Sequence, residues 1–393
     1  MTAQTTTASQ RSAADLNASS DLPSDTPLLL ATGCYSRTGT GRGVGVEMLA
    51  LTGTSYERRG TLEAVDPSFV LWSHDARVLL AVTETSPSHL LAIAVDPSGG
   101  ELQLIGDLEL VGSGACHLEH GLIPGTVLVA HYGSGAVETV RLGADGAPVE
   151  TVDHRPQVSS ASTKGVAEAG DAGADADAAT RQAHPHQIVR VRRTDGTRLL
   201  AVPDLGLDRI DLFQQDPRGV PTPEGHLNLP VGSGPRHLVQ VPGSGELLVA
   251  CELNGTIALF HPTEAQPGWE LTEQVPGGAP ADGQDAPSHI ALGPQPGTML
   301  MARRGPDTLA RCAHEQLTQH GPRIRVLEEA AVGAHPRHFT VLRDLVLVTA
   351  QEADVITVLR CDTDGLGTAG APFSSASVTC IAPRPARDAG GRG

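Results

Sequence analysis

The 393-residue chain carries 28 basic against 45 acidic side chains, a formal charge of -17, with 39% hydrophobic and 19% charged residues. This balance fits a soluble globular chain and excludes a nucleic-acid partner, because gripping a phosphate backbone needs clustered Lys and Arg to displace counterions. The 45 Gly and 29 Pro predict many turns and few helices.

Residues 1–26 have neither a basic start before an apolar core nor a small-residue cleavage site, so a disordered tail and a cytoplasmic protein are expected. No apolar run approaches the ~20 residues of a membrane span, so no membrane partner is expected. Three strands follow, Leu28 to Cys34, Val44 to Leu51 and Tyr56 to Leu62. One unit then recurs, a turn followed by His or Phe and an apolar strand start. It reads Asp66-Pro-Ser-Phe69, Gly114-Ala-Cys-His117, His184-Pro-His186, Gly234-Pro-Arg-His237, Ala286-Pro-Ser-His289 and His335-Pro-Arg-His338. These markers lie about 50 residues apart, with one long interval. The excess falls on 157–180, an Ala, Gly, Asp and Ser-rich stretch expected to be a disordered surface insertion.

About ten residues after each marker comes a buried second strand ending in polar groups: Leu79 to Glu84, Val127 to Tyr132, Leu199 to Leu205, Leu247 to Glu252, Met299 to Arg304 and Leu345 to Gln351. Third and fourth strands follow, such as Leu90 to Val95 and Leu102 to Leu110. Four strands per unit predict an all-β, seven-bladed β-propeller over 27–383. Six blades are internal. The seventh needs both chain ends, with Ser377 to Ala382 supplying the innermost strand of the N-terminal blade and closing the ring. Residues 384–393 are expected to be a second disordered tail.

Six scattered cysteines without a C-x-x-C pair suggest a reducing compartment and no zinc or disulfide framework. No calcium site is expected, since Asp171, Asp175 and Asp177 lack the Gly and terminal Glu of a calcium loop. Arg42 to Gly45 reads as a hairpin turn rather than a phosphate cradle, and no Gly-x-Ser-x-Gly elbow occurs. Trp72 and Trp269 are expected to be core residues.

The motifs Gly-Cys-Tyr35-Ser, Asp66-Pro-Ser-Phe69, His184-Pro-His186, Asp204-Leu-Gly-Leu-Asp-Arg209, Gly234-Pro-Arg236-His237, Cys251-Glu252 and Arg303-Arg304-Gly305 follow one order at blade spacing. In this the chain resembles the propeller-type lactonase family, which includes the seven-bladed 6-phosphogluconolactonase and is related to fungal carboxy-muconate cycloisomerase. The resemblance runs from about Leu28 to Ala382. Cys251, Arg303 and His131 stand where that family commonly carries Asn. The resemblance implies a small anionic lactone or sugar acid as partner, no cofactor and no metal. A monomer is expected.

Strand starts and second-strand ends line one mouth of a propeller channel, so polar groups from several blades are expected to meet there. The expected catalytic set is His186, Glu252, Arg236 and Arg304, and the expected substrate-binding set is His184, His237, Arg337, His131 and Glu84. His186 matches the family's proposed catalytic His. Opening a lactone needs an activated water, an oxyanion donor and a proton for the leaving alkoxide. His186 or Glu252 would be the base, and Arg236 and Arg304 the anion anchors. The blander expectation is also set: recurring His117, His237, His289 and His338 bond neighbouring backbone, and Arg236 merely pairs with Glu252. A cycloisomerase acting on a dicarboxylate, or a non-catalytic binding propeller, remain the alternatives.

Overall fold

The structure is a computed structural model that describes residues 27–157, 181–279, 285–315 and 323–386. The expected tail at 1–26, and the insertion beyond Gln157, lie outside the described residues. The described residues form 29 strands and no helix, arranged as seven antiparallel sheets. None of the described residues forms a helix long and apolar enough to cross a membrane.

Blade 1 is built from both chain ends, with Val378–Pro383 innermost, followed by Leu28–Cys34, Gly45–Thr52 and Ser55–Glu63. Blades 2 to 7 occupy 67–109, 115–156, 189–228, 235–276, 286–331 and 336–374 in turn. Blade 7 carries an extra two-residue strand, Phe373–Ser374, paired with its third strand Val355–Asp362. The second strands are apolar in their middles because each sheet is covered on both faces: all six residues of Val78–Thr83 and of Thr126–His131 are buried. Outermost strands such as Ser55–Glu63 face water and are correspondingly charged.

Seven buried clusters fill the seven spaces between neighbouring sheets. The cluster of Leu30, Leu49, Leu347, Ile356, Val358, Phe373, Val378 and Ile381 joins blade 7 to blade 1 and seals the ring. Trp72 and Trp269 are core residues as expected, each donating its indole N–H to a backbone carbonyl, of Ala382 at 3.2 Å and of Gly245 at 2.9 Å. The boundary at 384 needs correction. Arg384, expected to begin a disordered tail, is buried and donates to the carbonyls of Ala76 (2.8 Å), Asp96 (2.7 Å) and Val95 (3.1 Å), with its guanidinium over Trp72. Three blade 2 carbonyls converge on the cation and hold it.

A repeated irregularity positions the channel side chains. The inner strand of each blade slips by one residue against the second strand, as between Pro67 and Phe69, Pro235 and His237, and Pro336 and His338. The extra residues are Ser68, Cys116, Arg236, Ser288, Arg337 and Thr379. In blade 4 the same count falls on His186, because Pro185 pairs with Asp204 while Val189 pairs with Ala201. His186 is therefore not in register with the other marker histidines. Gln187 takes that place.

The next positions share one register one step deeper: Phe69, His117, Gln187, His237, His289, His338 and Cys380, of which Phe69 and the four histidines touch ring to ring while Cys380 packs between blades 1 and 2. Of the four histidines in the blander expectation His117 bonds the next blade's backbone, and so does Gln187, which was not among them. His117 Nδ1 accepts from the Ile188 amide at 3.4 Å and Gln187 Oε1 from the Leu238 amide at 2.7 Å. His237 and His289 instead meet through their Nδ1 atoms at 2.8 Å, and His289 stacks on His338 at 4.2 Å. Burial holds His117 and His338 down to about 3 and pushes His237 and His289 well below the usual imidazole range.

Two outcomes follow from this architecture. A chain truncated after residue 376 loses the innermost strand of blade 1 and the Val378 and Ile381 contacts, so its single cooperative thermal transition should be replaced by a broad, low-temperature loss of ellipticity. An unchanged melting curve would contradict closure. The channel histidines have folded pKa values depressed below their unfolded ones, so their contribution to stability is complete above about pH 6.5 and is lost as pH falls towards their folded values. Each adds about 1.4 kcal/mol per pH unit in that window. Urea unfolding should therefore show stability falling steeply below about pH 6, and less steeply in His338→Gln.

Candidate active site

Two sets of residues converge at the mouth where inner strands start and second strands end. The first is the set of extra inner-strand residues, of which His186, Arg236 and Arg337 are large. The second is the equivalent residue at the end of each second strand, just past it for Tyr35, Glu84, Tyr132, Leu205, Glu252 and Gln351 and its last residue for Arg304. The short members of the first set tie blades together: Thr379 donates to the Ser68 carbonyl at 2.7 Å and Ser288 to that of Pro336 at 2.6 Å. The inner strands themselves are pinned by turn aspartates in left-handed conformations. Asp208, Asp307 and Asp354 accept the amides of Gly234 (2.7 Å), His335 (2.8 Å) and Ser377 (2.7 Å), each at the start of the next blade. Arg236 and Arg337 sit two residues beyond such pins.

The arginines fall into two groups. Glu252 Oε2 lies 2.9 Å from Arg236 Nε and 2.5 Å from Arg304 Nη2, so one carboxylate oxygen braces guanidinium groups from consecutive blades. Arg236 is 1% exposed and also donates to the Ser288 carbonyl. Arg337 lies over the Tyr35 ring at 5.0 Å and 3.5 Å from Glu84 Oε2, which also accepts the Tyr35 hydroxyl at 2.7 Å. Three guanidinium groups thus share two carboxylates. Burial and the neighbouring Arg304 lower Arg236 to about 9, still protonated at neutral pH. Glu252 is held below the usual carboxylate range by Arg236 and Arg304, which outweigh its burial.

His186 is 7% exposed beside this cluster. Its ring meets Tyr132 at 5.6 Å and His237 at 5.3 Å, both edge-on, and its Nδ1 lies 3.9 Å from Cys116 Sγ. Burial first, then Arg236, Arg337 and Arg304, hold it well below the usual imidazole range, so it is neutral at pH 7. Cys116 is no nucleophile: burial pushes its thiol up to about 12, and its sulfur lies 3.5 Å from the His186 carbonyl. His184 stacks on Tyr132 at 4.4 Å, with its Nδ1 2.8 Å from the Tyr132 carbonyl.

Of the expected residues, His186, Glu252, Arg236, Arg304, Arg337 and Glu84 meet at the mouth, with His184 at its edge. His237 lies one layer deeper, against His186 and His289. His131 does not join them. It ends a second strand, a position whose side chain points between sheets, and its wholly buried ring sits 3.1 Å from Glu138. A Cβ on Gly112 would come within 2.5 Å of that ring, so glycine there closes over it. Cys251 and Arg303 occupy the same register, and Arg303 is likewise buried between Asp285 and Glu329. The three departures from the family's Asn thus lie between sheets. Tyr35 and His335 were not among the expected site residues. Tyr35 stood in the quoted motif, and its place after Cys34 is equivalent to Glu84 after Thr83 once blade 1 is paired. His335, lowered to about 4 by burial and then by Arg304 and Arg337, repeats the His-Pro step of His184.

A family described as lactonase, 7-bladed β-propeller, matches residues 29–383. A Bacillus subtilis protein named 6-phosphogluconolactonase is 25% identical over 283 residues, covering 70% of this chain and 73% of its own. Among solved structures, a Bacteroides fragilis protein matches 92% of this chain and 99% of its own at 22% identity, with a TM-score of 0.76. Pseudomonas aeruginosa periplasmic gluconolactonase matches 91% of this chain and 99% of its own at 21% identity, with a TM-score of 0.75. The two structural matches show the fold, and the family match covers nearly all of the described ring. The chain is a lactonase, belonging to the family of seven-bladed β-propeller lactonases.

Proposed function

We propose that the chain hydrolyses a sugar lactone bearing an anionic group, of the 6-phosphogluconolactone type, by metal-independent acid–base catalysis at the mouth bounded by His186, Arg236, Glu252, Arg304 and Arg337. One observation carries this reading: a neutral, buried imidazole stands beside three guanidinium groups that share only two carboxylates. The surplus positive charge suits a phosphate or carboxylate, and guanidinium forks match such oxygens in bidentate fashion. The name of the Bacillus subtilis relative supports the substrate type. The guanidinium cluster repels a cation, which supports catalysis without metal. All six cysteines are free and buried, which supports a reducing, cytoplasmic setting.

In this reading His186 takes a proton from water as the oxygen attacks the lactone carbonyl. A guanidinium faces the oxyanion that forms. The ring C–O bond then breaks, the leaving alkoxide takes the proton back from His186, and the carboxylic acid product ionises. Glu252 is a brace rather than the base, because two arginines lower its basicity and occupy Oε2.

Acid release from 6-phosphogluconolactone, corrected for spontaneous hydrolysis, tests these assignments. His186→Gln should lower kcat by about 100-fold or more, and full activity in that variant would place the base elsewhere. Arg304→Ala should raise KM about tenfold for the phosphorylated lactone and much less for gluconolactone. Chelator should change nothing. His131→Asn should leave kcat/KM within about twofold while lowering stability by about 1 kcal/mol, since Glu138 loses one partner but keeps the Val111 and Gly112 amides and the Thr151 hydroxyl; a large kinetic loss would return His131 to the site.

A further inference from the structure

We infer that His186 becomes an effective base only when an anion sits among Arg236, Arg304 and Arg337, so that the charged end of the substrate switches on the group that activates water. This rests on the reading of the mouth as the lactone site and goes beyond it, because it makes the remote charge of the substrate a condition for chemistry rather than a handle for binding.

The argument starts from register. His186, Arg236 and Arg337 are the extra residues of the inner strands of blades 4, 5 and 7, so one backbone device delivers an imidazole and two guanidinium groups to one level of one mouth. Arg304 reaches the same level from blade 6 through the shared Glu252. The groups facing His186 are all neutral or cationic. Blade 3 presents Cys116 and Tyr132, blade 5 presents Arg236 and His237, and Arg304 and Arg337 complete the surround. Among the described residues no carboxylate is paired with His186 itself. Both nearby carboxylates, Glu252 and Glu84, are already engaged by the arginines and by Tyr35.

In that field burial and the guanidinium groups keep a proton off His186, and a base that resists protonation is a poor acceptor from water. A ligand anion between the guanidinium groups cancels part of the field. An opposite charge within a few Å moves a neighbouring titration by about one to three pH units. The substrate part that does not react would thereby raise kcat, the behaviour expected when remote binding energy is used at the reacting centre.

Sulfate is the probe, because it does not titrate near neutrality. In the full-length protein with labelled histidine, the His186 resonance, assigned by its loss in His186→Gln, should titrate about one pH unit or more higher with saturating sulfate than without. Glucitol, a neutral polyol, should leave it unmoved. Arg304→Gln should raise the midpoint without sulfate and shrink the sulfate effect. In kinetics, sulfate should increase kcat/KM for unphosphorylated gluconolactone by about tenfold and shift the acidic limb of its pH profile upward. A midpoint and a gluconolactone rate both indifferent to sulfate would overturn the inference, whether or not sulfate binds. The underlying reading fails separately, by His186→Gln retaining full activity on the phosphorylated lactone.

Discussion

At the start of every inner strand the chain holds one residue more than the second strand can match, and the whole mouth depends on that surplus residue. It is freed from alternation with its neighbours, so its side chain leaves the sheet face and points to the channel opening. Where it is Ser or Thr it bonds the next blade's backbone and tightens the ring, as at Ser288 and Thr379. Where it is His186, Arg236 or Arg337 it fills the opening with chemistry. Turn aspartates such as Asp208 and Asp354 pin the adjoining amides, so long side chains spring from a rigid base. The site is therefore held by strand ends and tight turns rather than by long loops, which suits a constellation that must be kept within fractions of an ångström.

The electrostatics of the mouth run against those of the chain. A molecule with a formal charge of -17 concentrates three guanidinium groups, two of them buried, at one opening. Screening over about 8–10 Å separates the two scales, so an anion close to the mouth meets the local cations rather than the distant acidic surface. Glu252 and Glu84 make the cluster tolerable in a partly desolvated place, and their number leaves charge for a ligand to meet. The imidazoles of His117 and His338 below the mouth are held neutral by burial.

Much of this was legible in the amino-acid order because blades repeat. Spacing of about 50 residues, four strands per unit and the orphan strand at Ser377 gave seven blades and their closure without reference to contacts. The same repetition placed Arg236, Glu252, Arg304 and Arg337 at one mouth, since equivalent positions in a ring must meet. It failed where one residue of register mattered. His186 read as one of the marker histidines, but Gln187 holds that place, because a bulge is invisible to spacing counted in tens of residues. His131 was expected at the mouth for the same reason: adjacent residues at a strand end point in opposite directions, and Tyr132 is the one that faces the opening.

What the sequence determined by itself was the architecture, the closure and the list of polar residues near one opening, because these follow from periodicity, and periodicity is a property of the chain order. Only the tertiary structure decided which neighbour of each pair faces the channel, that Glu252 is shared by Arg236 and Arg304, that Tyr35 completes the Arg337 group, and that Arg384 belongs to the fold. Those choices depend on single-residue slips and on partners up to some three hundred residues apart, which come together only when the ring closes.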